Sequence, residues 1–111
     1  MAYFIIIVEN LVKTFSRIIY IMLLKIEKSN RLNKRYMAIF SNGKKIHFGL
    51  KGGSTYIDHY DVLKRLNYLK RHEVNENWDD PYTAGTLAAY LLWRNNTSLK
   101  DNIKEFNRVF F

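Results

Sequence analysis

The chain has 111 residues, of which 48% are hydrophobic and 25% charged, a composition typical of one folded domain and too apolar for a disordered chain. It contains 18 lysines and arginines against 10 acidic residues, which gives a formal net charge of +8. The absence of cysteine from this sequence excludes disulfides, cysteine-based zinc sites and thiol nucleophiles.

The positive charge is concentrated in one part of the sequence. Residues 22–53 contain eight lysines and arginines and one glutamate, whereas residues 54–111 contain eight basic and eight acidic residues. A local excess of one sign of charge attracts anionic partners such as nucleic acid, lipid headgroups or acidic protein surfaces. The alternative is a solvated basic edge, because lysine often protects strand edges from pairing with other chains.

The first 21 residues differ from the rest of the chain. Apolar residues at helical spacing over residues 8–22 predict an amphipathic helix, which is too short and too charged to span a membrane and lacks the features of a secretory signal. Three interpretations stay open. The helix packs on the protein's own sheet, it contacts a membrane surface or a larger assembly through residues 4–24, or residues 1–21 are an extension that precedes a native start at Met22. Residues 22–111 are then a single basic domain.

The charged segment predicts a three-stranded antiparallel sheet over residues 23–49. Asn42 and Gly43 lie between two β-rich runs, and this dipeptide is typical of a two-residue hairpin turn because both residues tolerate positive φ. A two-residue turn fixes the register of the hairpin. The predicted pairs are Phe40 with Lys45, Ile39 with Ile46, Ala38 with His47, and Met37 with Phe48.

This register divides the sheet into two faces. Met37, Ile39, Ile46 and Phe48 form the apolar face. The opposite face combines aromatic and basic side chains, namely Tyr36, Phe40, Lys45, His47 and Lys25. Such a face could stack bases and contact phosphates, or its aromatic rings could be covered by another layer of the protein, which is the more common arrangement.

The second half of the sequence predicts three helices, over residues 58–72, 81–93 and 98–110. The apolar stripe of the first consists of Val62, Leu63, Leu66 and Leu69. Asp79 or Asp80 followed by Pro81 predicts the start of the second. A glycine inside a helix costs about 1 kcal/mol, so Gly85 implies a packing requirement. Thr97 or Ser98 caps the third helix, whose Leu99, Ile103, Phe106 and Phe110 are expected to face the core.

No group of residues in the sequence resembles a catalytic or metal site. The three histidines are far apart, and the acidic residues between positions 73 and 80 match no calcium-binding loop. We therefore predict no catalytic residue, metal, cofactor or small-molecule substrate. The candidate contacts to an anion or to nucleic acid are Arg31, Lys34, Arg35, Lys44, Lys45, Lys64, Arg65 and Arg71. The candidate aromatic contacts are Tyr36, Phe40 and Tyr68.

Several short motifs occur in a recognisable order: KIEKS, KRYMAIF, HFG, YLKRH, NENWDDPYTAG, LLW and SLKDNIKEF. In this order they resemble a short uncharacterised domain family of giant (nucleocytoplasmic large) DNA viruses. The block at residues 75–85 is the most specific of these motifs. The resemblance implies a viral protein made inside a host cell and located in the virion or in the host cytoplasm or nucleus. Members of that family begin near the KIEKS strand, which agrees with a native start at Met22.

These observations predict an α+β fold with a three-stranded antiparallel sheet packed by three C-terminal helices, and an amphipathic helix before it. The expected function is that of a small basic, non-catalytic viral protein, a virion structural or interaction component such as a minor capsid or core-associated protein, with other viral structural proteins as partners. The alternative is a nucleic-acid-binding module that uses the basic β-hairpin to contact phosphates of viral nucleic acid. A third interpretation is a regulator of host factors.

Overall fold

A computed structural model describes residues 21–111 of the chain. The first three elements are the strands β1 (Leu23–Lys28), β2 (Lys34–Phe40) and β3 (Lys45–Leu50), which form an antiparallel sheet in the order β1-β2-β3. The sequence-based prediction of a three-stranded antiparallel sheet is therefore confirmed. The predicted N-terminal amphipathic helix lies outside the described residues.

The hairpin between β2 and β3 closes through three residues rather than two. The Phe40 amide donates to the Lys44 carbonyl at 3.0 Å, and Gly43, at φ 88°, donates back to the Phe40 carbonyl at 3.0 Å. This is the three-residue loop that ends in a left-handed glycine. The predicted register is consequently wrong by one residue. The observed pairs are Ile39 with Lys45, Ala38 with Ile46, Met37 with His47, and Tyr36 with Phe48.

The shift of one residue exchanges the two faces of β2. Ala38 and Phe40 are buried in the core, while Met37 and Ile39 lie on the opposite face of the sheet and are partly exposed. The predicted apolar face is therefore wrong for β2 and right for β3, where Phe48 is fully buried. Core packing explains this outcome, because the longer loop brings the Phe40 ring onto the same side as Phe48.

The first predicted helix is interrupted. The structure has a short helix α1 (Tyr56–His59) and a longer helix α2 (Val62–Glu73). Between them Tyr60 adopts the left-handed conformation at φ 58°, and the Asp61 side chain caps α2 by accepting from the Lys64 amide. The prediction of one continuous helix over residues 58–72 is wrong because this capping residue starts a second helix.

Helix α2 does not bury its apolar stripe. Val62, Leu63 and Leu66 are 55%, 67% and 52% exposed, and no residue of α2 is fully buried. These three residues of the predicted apolar stripe therefore lie at the surface. The helix is instead attached through polar and aromatic contacts described below.

The two C-terminal helices, α3 (Ala84–Leu91) and α4 (Leu99–Phe110), pack on the sheet and on each other. Helix α3 begins after Thr83, whose Oγ1 accepts from the Thr86 amide, three residues later than the predicted start at Pro81. Helix α4 begins after Ser98, whose side chain accepts from the Asp101 amide, so the cap is Ser98, one of the two residues predicted for it. The core lies between the sheet and the two C-terminal helices. The sheet contributes Leu23 from β1, Ala38 and Phe40 from β2, and Phe48 from β3. The helices contribute Leu87, Ala88 and Leu91 from α3, Leu92 directly after it, and Phe106 from α4.

A side chain of the last helix closes the start of β1. The Asn107 amide group accepts from the Leu23 backbone amide at 2.8 Å and donates to the Leu23 carbonyl at 2.9 Å. It thus supplies the two hydrogen bonds that a neighbouring strand would supply to this edge. Within residues 21–111 no helix combines the length and the apolar character needed to cross a membrane.

Candidate nucleic-acid interface

One end of the sheet carries a groove of about 470 Å³ lined by basic residues. Because the strands are antiparallel, the end of β1, the start of β2 and the end of β3 meet there. Lys34 pairs with Leu50, and the Lys51 amide donates to the Asn33 carbonyl at 3.2 Å. We call this feature the basic groove, and its lining residues are Lys28, Ser29, Lys34, Arg35, Tyr36 and Lys51.

Arg35 is the one cation of the groove that a described carboxylate neutralises. Its guanidinium donates to both oxygens of Asp58, at 2.6 and 2.7 Å, and it lies 4.7 Å from the centre of the Tyr36 ring. Asp58 also accepts from the amide and hydroxyl of Thr55. The hydrogen bonds from Arg35 hold the pKa of Asp58 well below its usual range, so the ion pair persists at neutral pH. Arg35 therefore joins β2 to α1, and it is not free for an external anion.

The other basic residues of the segment 22–53 are largely unpaired. Lys25 pairs with Glu27 and Arg35 with Asp58, while the remaining six form no ion pair with any carboxylate of residues 21–111. These six are Lys28, Arg31, Lys34, Lys44, Lys45 and Lys51.

His47 lies beside the basic groove, and nearby positive charges affect its pKa. Its Nδ1 atom is 2.6 Å from the Ser29 hydroxyl. Partial burial lowers the pKa of His47 below its ordinary value, and the positive charges of Arg31 and Lys34 lower it further, because each disfavours the imidazolium form. The histidine thus indicates a positive electrostatic potential at this end of the sheet.

Lys44 and Lys45 lie at the other end of the hairpin. A seven-residue strand separates them from Lys34, a distance of about 20 Å at 3.3 Å per residue. Lys44 lies over the Tyr82 ring at 4.0 Å, and Lys45 is exposed at the start of β3. The structure therefore does not bring the basic hairpin residues into one cluster.

The three basic candidates on α2 have different environments. The Arg65 Nε atom donates to the Trp93 carbonyl at 2.9 Å and its guanidinium lies 5.7 Å from the Tyr56 ring, so Arg65 attaches α2 to the chain after α3. Lys64 and Arg71 are exposed and line a second, smaller pocket.

The aromatic candidates are occupied by packing within the protein. Phe40 is 1% exposed and lies in the core, where no base could reach it. The Tyr36 ring contacts the Arg35 guanidinium and packs against the Phe48 ring, with the two ring centres 5.7 Å apart. Tyr68 is stacked between Trp93 and His72, and burial together with the charge of Glu76 raises the pKa of Tyr68 to about 12.

The sequence-based prediction missed two basic residues of the basic groove, Lys28 and Lys51, as well as Ser29. Both lysines lie at strand ends, and only the antiparallel order of the sheet places them beside Lys34. Because the antiparallel order could be predicted from the sequence, the position of these lysines at strand ends was the signal that could have identified them. Among residues 21–111 no three histidine or acidic side chains lie close enough together to hold a metal ion.

Residues 24–72 match DUF5754, a family of unknown function. The matched segment contains β1 except its first residue, all of β2 and β3, all residues of the basic groove, α1 and all but the last residue of α2. The block at residues 75–85 lies outside it. No curated protein and no solved structure matches the chain.

Proposed function

We propose that this protein binds the phosphate backbone of nucleic acid through the basic groove. The observation that carries this proposal is the grouping of Lys28, Lys34 and Lys51 at one end of the sheet, with no carboxylate of the described chain paired to them. Like charges held together repel each other, so such a group is suited to an external polyanion.

The groove favours charge recognition over base recognition. Lysine ammonium groups neutralise phosphates without reading sequence, whereas sequence is read by contacts to base edges. The one aromatic ring in the groove, Tyr36, already contacts Arg35 and Phe48. We therefore expect binding that depends strongly on salt and weakly on sequence. No contact among residues 21–111 favours the role of a virion component, which stays a prediction from sequence.

Replacing Lys28, Lys34 and Lys51 together by glutamine is expected to weaken binding of a DNA oligonucleotide by about 10- to 100-fold at 0.1 M salt. Each lost phosphate contact reduces the number of counterions that binding releases. The negative slope of log K against log salt should therefore become less steep by about 2 to 3. Fluorescence anisotropy over a range of salt concentrations measures both quantities.

The matched control is the triple replacement of Lys70, Lys100 and Lys104 by glutamine. These lysines are exposed on α2 and α4 and form no ion pair with a described carboxylate, so the control has the same change in net charge. We expect it to bind nearly as well as the natural sequence. Equal loss of affinity in the two triple variants would show that net charge rather than the groove drives binding, and would contradict the proposal.

Binding at the groove should raise the pKa of His47. Phosphates would offset the charges of Arg31 and Lys34 that disfavour its protonation. By linkage, affinity for the oligonucleotide should increase as the pH falls toward the lowered pKa of free His47, since the protonated form binds better.

An NMR titration of the histidine rings, with and without a duplex lacking terminal phosphates, measures this shift. His59 and His72 lie outside the groove and serve as internal controls. An unchanged His47 pKa in the complex would place the bound phosphates elsewhere on the protein.

A further inference from the structure

A pair of cavities lies against α2, and the residues that line them are different from those of the basic groove. The first is a largely apolar cavity of about 330 Å³ between β3, α2 and the end of α3. Its lining includes Ala88, Leu92 and the aromatic side chains of Tyr68, His72 and Trp93. Its volume is at the lower end of the range of about 300 to 1,000 Å³ that is common for small-molecule sites.

The aromatic wall of this cavity is rigid. The Tyr68 ring stacks on Trp93 at 4.1 Å with an interplanar angle of 5°, and on His72 at 4.0 Å with an angle of 25°. Glu76 holds His72 in place, because its carboxylate lies 2.9 Å from the imidazole Nδ1. Trp93 and His72 cover both faces of the Tyr68 ring, so the three rings form one block whose apolar surface suits a flat, apolar group such as a nucleobase.

The second cavity, of about 260 Å³, is polar and basic. Lys64, Asn67 and Arg71 follow one face of α2 and line it together with Ser54 and His59. Neither Lys64 nor Arg71 forms an ion pair with a carboxylate of the described chain. The lining therefore offers two positive charges and several hydrogen-bond donors.

His59 adds a donor that lacks an acceptor. The Asp61 backbone amide donates to its Nδ1 atom at 2.9 Å, so in the neutral imidazole the proton is on Nε2. That Nε2 atom is buried and has no hydrogen-bond partner among residues 21–111. A buried donor without a partner costs free energy, and an acceptor bound in the adjoining cavity would recover it.

The two cavities share Ser54 and Trp93 and therefore adjoin. We propose that together they bind a nucleoside monophosphate, with the base in the apolar cavity and the phosphate between Lys64 and Arg71. The nucleotide is either free or the 5′-phosphorylated end of a strand. This site uses residues other than those of the basic groove, so it does not rest on the function proposed above.

Isothermal titration calorimetry with a purine nucleoside 5′-monophosphate tests the proposal. The nucleoside without phosphate and inorganic phosphate alone should each bind at least tenfold more weakly, because each fills one cavity only. A short single strand with a 5′-phosphate, compared with the same strand ending in a hydroxyl, identifies which source of the nucleotide is used. Inorganic phosphate binding as tightly as the nucleotide would overturn the assignment of the base cavity.

The variants Lys64→Gln and Arg71→Gln should each weaken nucleotide binding by about tenfold. Lys70→Gln is the matched control, because Lys70 is exposed on the same helix but does not line either cavity. The His59 Nε2 proton should shift in NMR spectra when the nucleotide binds. No binding at millimolar nucleotide, or equal affinity in all three variants, would overturn the proposal. The triple variant of the basic groove should keep this site intact, so the two proposals can fail separately.

Discussion

Replacing Phe40 by alanine is expected to lower the free energy of unfolding by about 3–5 kcal/mol, the usual cost of removing a buried phenylalanine ring. The ring is 1% exposed and its centre lies 4.9 Å from that of Tyr82 and 6.2 Å from that of Phe106. Domains of this size are stable by about 5–15 kcal/mol, so the loss is a large part of the total. Urea denaturation followed by circular dichroism measures it.

The neighbouring residue provides the control. Ile39 lies on the outer face of β2 opposite Lys45, so Ile39→Ala should cost about 1 kcal/mol, the scale of a strand-propensity change. A hairpin with a two-residue turn would reverse this order, because Ile39 would then face the core and Phe40 the outside. A larger loss for Ile39→Ala than for Phe40→Ala would therefore contradict the observed register.

Replacing Gly85 by alanine is expected to destabilise the protein by about 1–3 kcal/mol, although alanine is the better helix former by about 1 kcal/mol. A Cβ atom at this position would lie 2.7 Å from the Oε2 atom of Glu76, far inside contact distance. The same oxygen accepts from the Trp78 indole at 2.7 Å, and the other carboxylate oxygen lies 2.9 Å from His72. The carboxylate therefore cannot move away without breaking these hydrogen bonds.

A double-mutant cycle separates the clash from any other effect of the substitution. In a Glu76→Ala background the obstacle is absent, so Gly85→Ala should become neutral or stabilise by up to about 1 kcal/mol. Thermal unfolding of the four proteins gives the coupling between the two positions. The same loss from Gly85→Ala in both backgrounds would rule out Glu76 as the reason for the glycine.

Much of the fold follows from local sequence signals. The three strands, the cap at Ser98 and the core-facing stripe of α4 depend on short-range patterns, and the structure agrees with each. The packing reason inferred for Gly85 is also confirmed by the approach of Glu76. Such features are predictable because neighbouring residues in the chain determine them.

The hairpin register depends on more than its turn residues. Asn42 and Gly43 fit a two-residue turn and equally fit a three-residue loop with glycine in the left-handed position. The choice is made by the side chains that each register turns toward α3 and α4. Here Phe40 contacts Phe106 and Phe111 in the core, a long-range contact that no short pattern contains.

The candidate site was less predictable than the fold for the same reason. Net charge identified the segment that forms the basic groove, but not which of its cations lack an ion-pair partner among the described residues. Arg35 is neutralised by Asp58, 23 residues away, and Lys44 lies at the opposite end of β2 from Lys34. The pocket beside α2 combines His59 with Trp93, which only the tertiary structure brings together.

The hydrogen bonds between Asn107 and Leu23 have a consequence for synthesis of the chain. The two residues are 84 positions apart, so β1 leaves the ribosome long before the side chain that closes its edge. Until α4 is made, the Leu23 amide and carbonyl lack the partner that Asn107 provides, and contacts this distant in sequence form late. The nascent sheet therefore has to avoid pairing with other strands until α4 has been synthesised, and Lys28, which forms no ion pair with a described carboxylate, adds charge to β1 that opposes such pairing.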